Sequence, residues 1–109
     1  MMNIWVLSGS YEGEQFASSH LTEKGACLAA ISDVLQLLGV DDDDDARRVY
    51  TRRMYDGKEK DVDPPEWDME KMKAMARNEL WGIFGEWVDL TGDNSQGYSI
   101  EVIKTQVQA

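Results

Sequence analysis

Near the start of the chain, Asn3-Ile4-Trp5-Val6-Leu7 is apolar at every position after the first. Side chains alternate across a strand, so Ile4 and Val6 fall on one face and Trp5 and Leu7 on the other. A strand apolar on both faces belongs in the middle of a sheet and demands neighbours on both edges. Gln15 to Leu21 reads as one neighbour, with Phe16 opposite in parity to Ala17 and Leu21. The stretch between them, Ser8-Gly9-Ser10-Tyr11-Glu12-Gly13-Glu14, has the composition of a turn and makes the pair a β-hairpin. Tyr98 to Val107 reads as the other neighbour, pairing with Asn3–Leu7 and carrying Tyr98, Ile100 and Val102 on one face.

Helical periodicity fills the middle of the chain. Thr22 is placed as an N-cap before Glu23, and Leu28, Ile31, Leu35 and Leu38 recur at spacings of three and four up to Gly39. A second helix reads from Ala46 to Tyr55, with Ala46, Val49, Tyr50 and Met54 inward and Arg53 anomalously near the apolar face. Residues 56–65 (DGKEKDVDPP) read as an exposed loop. Met69, Met72 and Ala76 mark a short helix, and Asn78 is a candidate cap for another carrying Leu80, Trp81, Phe84 and Trp87. Glu86 to Thr91 continues that helix, with a strand hairpinned through Gly92–Gly97 as the alternative. The order predicts an α+β fold: a small antiparallel sheet of three strands, or four on the alternative, with three to four helices packed on one side. Residues 1–109 form a single compact domain on this reading, and no internal repeat is visible.

Catalytic chemistry finds little to work with. His20 is the only histidine and Cys27 the only cysteine, too few for a structural zinc site or an internal disulfide. His20 reads as a surface or cross-strand residue, and Cys27 as a small buried thiol. A calcium loop starting at Asp41 would need glycine at its sixth position and glutamate at its twelfth, where the chain has Ala46 and Arg52. The glycines after the first strand lack the Lys-Ser/Thr of a phosphate loop. The expectation is no enzyme, no metal and no cofactor. No segment approaches the ~18 apolar residues of a membrane span, and the first residues lack a signal-peptide pattern, so a cytoplasmic protein is expected.

Charge carries the functional lead. The chain has 21 acidic and 11 basic residues in 109, net −10. Such a field opposes direct binding of nucleic acid but suits competition for a basic surface that normally holds it. The charges come in blocks: residues 1–46 sum to −8, 47–60 to +4, 61–70 to −5, 71–77 to +3 and 78–109 to −4. Asp41, Asp42, Asp43, Asp44 and Asp45 form one run, which also suits the first turn of a helix and pairs Asp43 with Arg47 and Asp44 with Arg48 four residues on. Together with Glu12, Glu14, Asp61, Asp63 and Glu66 it gives the candidate partner-binding set.

In size, charge and composition the chain resembles small acidic accessory proteins encoded by phages and prophages, among them counter-defence inhibitors of CRISPR effectors or restriction enzymes. The resemblance implies a non-enzymatic inhibitor that occupies the basic nucleic-acid site of such a complex by partial mimicry of DNA. The alternative is an interaction module or homo-oligomer subunit that uses an apolar surface containing Trp81 or Trp87, or the edge of the sheet.

Overall fold

The computed structural model describes residues 2–55, 63–91 and 99–107, excepting the side chains of residues 2, 53–55 and 107. The inward placement of Arg53 and Met54, the loop residues 56–62 with Asp61, and the turn at 92–97 with Tyr98 therefore lie outside the described residues. The chain runs β1 (Met2–Tyr11), β2 (Glu14–His20), α1 (Glu23–Leu38), α2 (Asp43–Tyr55), α3 (Met69–Met72), α4 (Arg77–Asp89) and β3 (Ser99–Val107). The sheet is antiparallel in the order β2-β1-β3, so the doubly apolar strand is indeed central. This is the α+β architecture expected.

Register assigns every residue to a face. Trp5 stands opposite His20 on one side and Lys104 on the other; Leu7 stands opposite Ser18 and Val102. That face meets α1, and Leu7 is buried by it. Ile4, Val6 and Ser8, opposite Thr105, Ile103 and Glu101, lie on the reverse face. α1 crosses all three strands and packs against α4 on its other side, giving a sheet, then α1, then the remaining helices.

The ends of α1 are built as its sequence dictates. The Thr22 hydroxyl accepts from the Gly25 N–H at 2.9 Å, and Gly39 closes the helix at φ 76°. Both are favourable because the cap satisfies an orphaned donor and glycine adopts the left-handed region without a Cβ clash. Between these ends Cys27, Ile31 and Val34 are fully buried. Burial pushes the Cys27 thiol up to about 12, with the charge of Glu23 adding to it, so the thiol stays protonated and inert. They join Met72, Leu80 and Trp87 in the core, while Val49 and Tyr50 of α2 pack against it.

Several boundaries refine the sequence reading. β1 continues through Ser8, Gly9 and Ser10 to Tyr11, leaving only Glu12 (φ 51°) and Gly13 (φ 88°) as the turn. Positive φ at both central residues suits the right-handed twist of a two-residue hairpin. α2 begins at Asp43, so Asp43, Asp44 and Asp45 form its first turn, as the sequence reading had them. The helix at Met69 lasts one turn, not to Ala76; Lys24 of α1 donates to the Lys73 carbonyl that the break releases. α4 then starts at Arg77 after Ala76, so Asn78 is not its cap, and the helix runs through Glu86 to Asp89 before Leu90 and Thr91 turn.

A candidate acidic interface

Asp41 to Asp45 lie at the junction of α1 and α2, and the run divides by role. Asp42 Oδ1 accepts from the Asp45 N–H at 2.8 Å, and Asp45 Oδ2 accepts from the Asp41 N–H at 3.2 Å. These bonds satisfy donors that a helix start leaves unpaired. Asp43 accepts from Arg47 at 2.8 Å, and Asp45 rather than Asp44 takes Arg48, at 2.5 Å. Arg47 also reaches Asp63 at 3.2 Å, which draws the segment after the loop onto the start of α2. Hydrogen bonding from Arg47 holds the Asp43 carboxyl below its ordinary range, with smaller contributions from Trp67 and Lys71. Asp43 and Asp63 in turn raise Arg47.

The remaining candidates are placed as follows. Glu66 turns back on its own chain, accepting from the N–H groups of Trp67 and Asp68 at 3.1 and 3.2 Å. Its backbone carbonyl accepts from Trp87 Nε1 at 2.9 Å, fixing this segment to the core. Glu12 and Glu14 are exposed at the tip of the hairpin. Two open clefts relate the tip to the Asp run. One, of about 260 Å³, lies between Tyr11 and Phe16 of the hairpin and Asp33, Gln36 and Leu37 of α1. The other, of about 250 Å³, lies between Gln36 and Asp41, Trp67 and Asp68. Gln36 borders both, so the hairpin tip and the Asp run flank the same end of α1.

Sequence reasoning missed Asp33 at these clefts. Asp68, which the charge pattern groups with Asp61, Asp63 and Glu66, also serves as cap of α3, accepting from the Glu70 N–H at 3.0 Å. Among the described residues, Asp41 and Asp44 stand outside the ion pairs and present their carboxylates to solvent, as do Glu12 and Glu14. No group of three or more histidine, cysteine, aspartate or glutamate side chains among the described residues is arranged to hold a metal ion.

Comparison with protein families, curated proteins and solved structures finds no match. No helix among the described residues is long and apolar enough to cross a membrane. His20 hydrogen-bonds Ser18 through Nε2 at 2.8 Å, on the same face two residues apart, as a strand requires.

A single carboxylate, Glu23, ties the other end of the helical layer. Glu23 accepts from Trp81 Nε1 at 3.0 Å and from Arg77 at 2.9 Å, joining the first turn of α1 to that of α4. The Trp81 bond is the main reason its carboxyl lies below the ordinary value of 4.5; partial desolvation opposes it, and Arg77 and Lys104 reinforce it. A depressed carboxyl stabilises the fold fully above its ordinary value and loses that contribution as pH falls through the depressed one. Glu23→Gln should therefore lower the melting temperature at pH 7, and the difference from the parent protein should close as the pH falls through the depressed range of the Glu23 carboxyl. A difference undiminished in acid would show that the effect is packing rather than charge.

Proposed function

We propose that this protein is a non-enzymatic binding protein that docks its acidic end on the basic site of a nucleic-acid-handling complex, such as a CRISPR effector or a nuclease. The observation that supports this is the convergence of two sequence-distant acidic segments, Glu12–Glu14 and Asp41–Asp45, on one end of α1. Pairing to Arg47 and Arg48 fixes some of the carboxylates and gives the surface a mixed pattern of charge. Such a pattern favours register with one specific partner over simple imitation of a phosphate backbone. Trp87, one anchor of the apolar alternative, is fully buried, and Trp81 is half-buried with its N–H on Glu23.

The fold indicates which acids to change. Asp42, Asp43 and Asp45 support α2, so neutralising the whole run would confuse binding with folding. Asp41, Asp44, Glu12 and Glu14 can be replaced by their amides with the caps intact. Tagged protein would be used to capture partners from bacterial lysate at low and high salt, with duplex DNA as competitor. The expected result is a nuclease, polymerase or effector complex that is displaced by DNA and by salt. The quadruple amide variant should bind it about tenfold or more weakly at low salt. Undiminished binding by that variant would overturn the reading.

A further inference from the structure

The reverse face of the sheet is at odds with its own sequence. β1 is apolar on both sides, yet the described helices cover only the side of Leu7. Ile4 and Val6 point the other way, with Ile103 beside Val6 and 49% exposed. Alternation carried one residue past β2 adds Leu21, which is 73% exposed. Charged residues make up 29% of the chain, but among the described residues of this face Glu101 is the single charge. Serines, a threonine, a glutamine and Ala17 fill the rest.

We propose that this face is the interface between two copies of the chain. A partner chosen by charge would meet the acidic end; a neutral face is where two chains of net −10 can meet with least repulsion. The symmetry also closes. A two-fold axis across the strands, through the row Ser19–Val6–Ile103, stacks that row on itself. It then sets Leu21 and Ile4 of one copy over Ala17 and Ser8 of the other. Thr105 meets Glu101, and the two Glu101 carboxylates are kept apart. Ser8, Ala17 and Glu101 border an open recess of about 430 Å³ at that end of the sheet, giving the exposed leucine somewhere to sit. Strands of 7 to 10 residues spaced ~4.8 Å apart offer roughly 1,000 Å² in total between two copies. That is the lower end of specific interfaces, so the dimer is weak and depends on concentration.

Light scattering coupled to size exclusion, or sedimentation, would be run on the full chain from about 5 to 200 µM in low and high salt. The mass should climb from 12.4 kDa towards twice that value. It should climb further in high salt, because screening relieves repulsion between like-charged copies, whereas docking of the acidic end weakens in salt. Ile103→Glu and Thr105→Glu, both at exposed positions, should each hold the mass at one chain while the circular dichroism and melting temperature are retained. Asp41→Asn/Asp44→Asn should leave dimerisation intact. A monomer throughout the range would overturn the proposal, as would a dimer indifferent to both glutamate variants; neither result bears on the acidic end.

Discussion

Trp87→Ala is expected to cost about 3–5 kcal/mol, the usual range for deleting a large aromatic side chain from a core. Trp87 is fully buried, lies edge-on to Tyr50 with ring centroids 6.5 Å apart, and packs in the cluster that includes Ile31, Met72 and Leu80. It thereby joins α2, α3 and α4 to the central helix. Its indole N–H also holds the Glu66 carbonyl, so truncation opens a cavity and releases the segment leading into α3. Domains of this size have about 5–15 kcal/mol to lose, so the melting temperature should fall by roughly 15 °C or more. Trp87→Phe separates the contributions, since it keeps an aromatic ring and deletes the donor; about 1–3 kcal/mol is expected for the unpaired carbonyl and the lost volume. A loss below about 1 kcal/mol for the alanine variant, measured by urea denaturation, would remove Trp87 from the core.

The same residue connects the core to the proposed interface. Glu66 was marked as a binding acid from charge alone, yet its backbone carbonyl serves Trp87 and its carboxylate closes a local turn. Asp42 and Asp45 are spent similarly on the start of α2. Structural use of some acids leaves Asp41 and Asp44, with the hairpin tip, as the carboxylates with most to gain from a partner. Neutralising these should affect binding far more than stability.

How much of this was legible depended on whether the signal was local. α1 could be read from Thr22 to Gly39 because cap, periodicity and terminating glycine agree over consecutive residues. The central strand was legible because two apolar faces allow few placements. The end of the short helix at Met72 was not: Glu70-Lys71-Met72-Lys73-Ala74-Met75 contains only good helix formers, and the break follows from packing against α1. The acidic segments were visible individually, but their shared end depends on the hairpin folding over α1. Asp33 had no sequence signal beyond lying three residues before Gln36 on the helix. Ser8 to Ser10 misled because small residues suit a turn and also suit a central strand paired on both edges.

That last distinction makes Gly9→Ala the sharpest test of the sheet. In an exposed turn, alanine at this position would change stability little. In the central strand, a Cβ on Gly9 would lie 2.2 Å from the Ser99 carbonyl oxygen and 2.5 Å from a ring carbon of Phe16. The ring could swing aside, but the carbonyl belongs to the backbone of β3 and can yield only if the paired strands shift. Overpacking of this kind costs about 1–3 kcal/mol, and the upper part of that range is expected here. Hydrogen exchange should quicken first at the Ser8–Tyr11 and Ser99–Glu101 amides, where the two ladders meet this residue. Gly82→Ala provides the opposite sign: a Cβ there meets nothing within 4 Å, and alanine within a helix should add about 0.5–1 kcal/mol. If Gly9→Ala were as harmless as Gly82→Ala, β1 would have to end before Gly9. The neutral face would then lose its Ser10 row and, with it, one wall of the recess offered to Leu21 of a second copy.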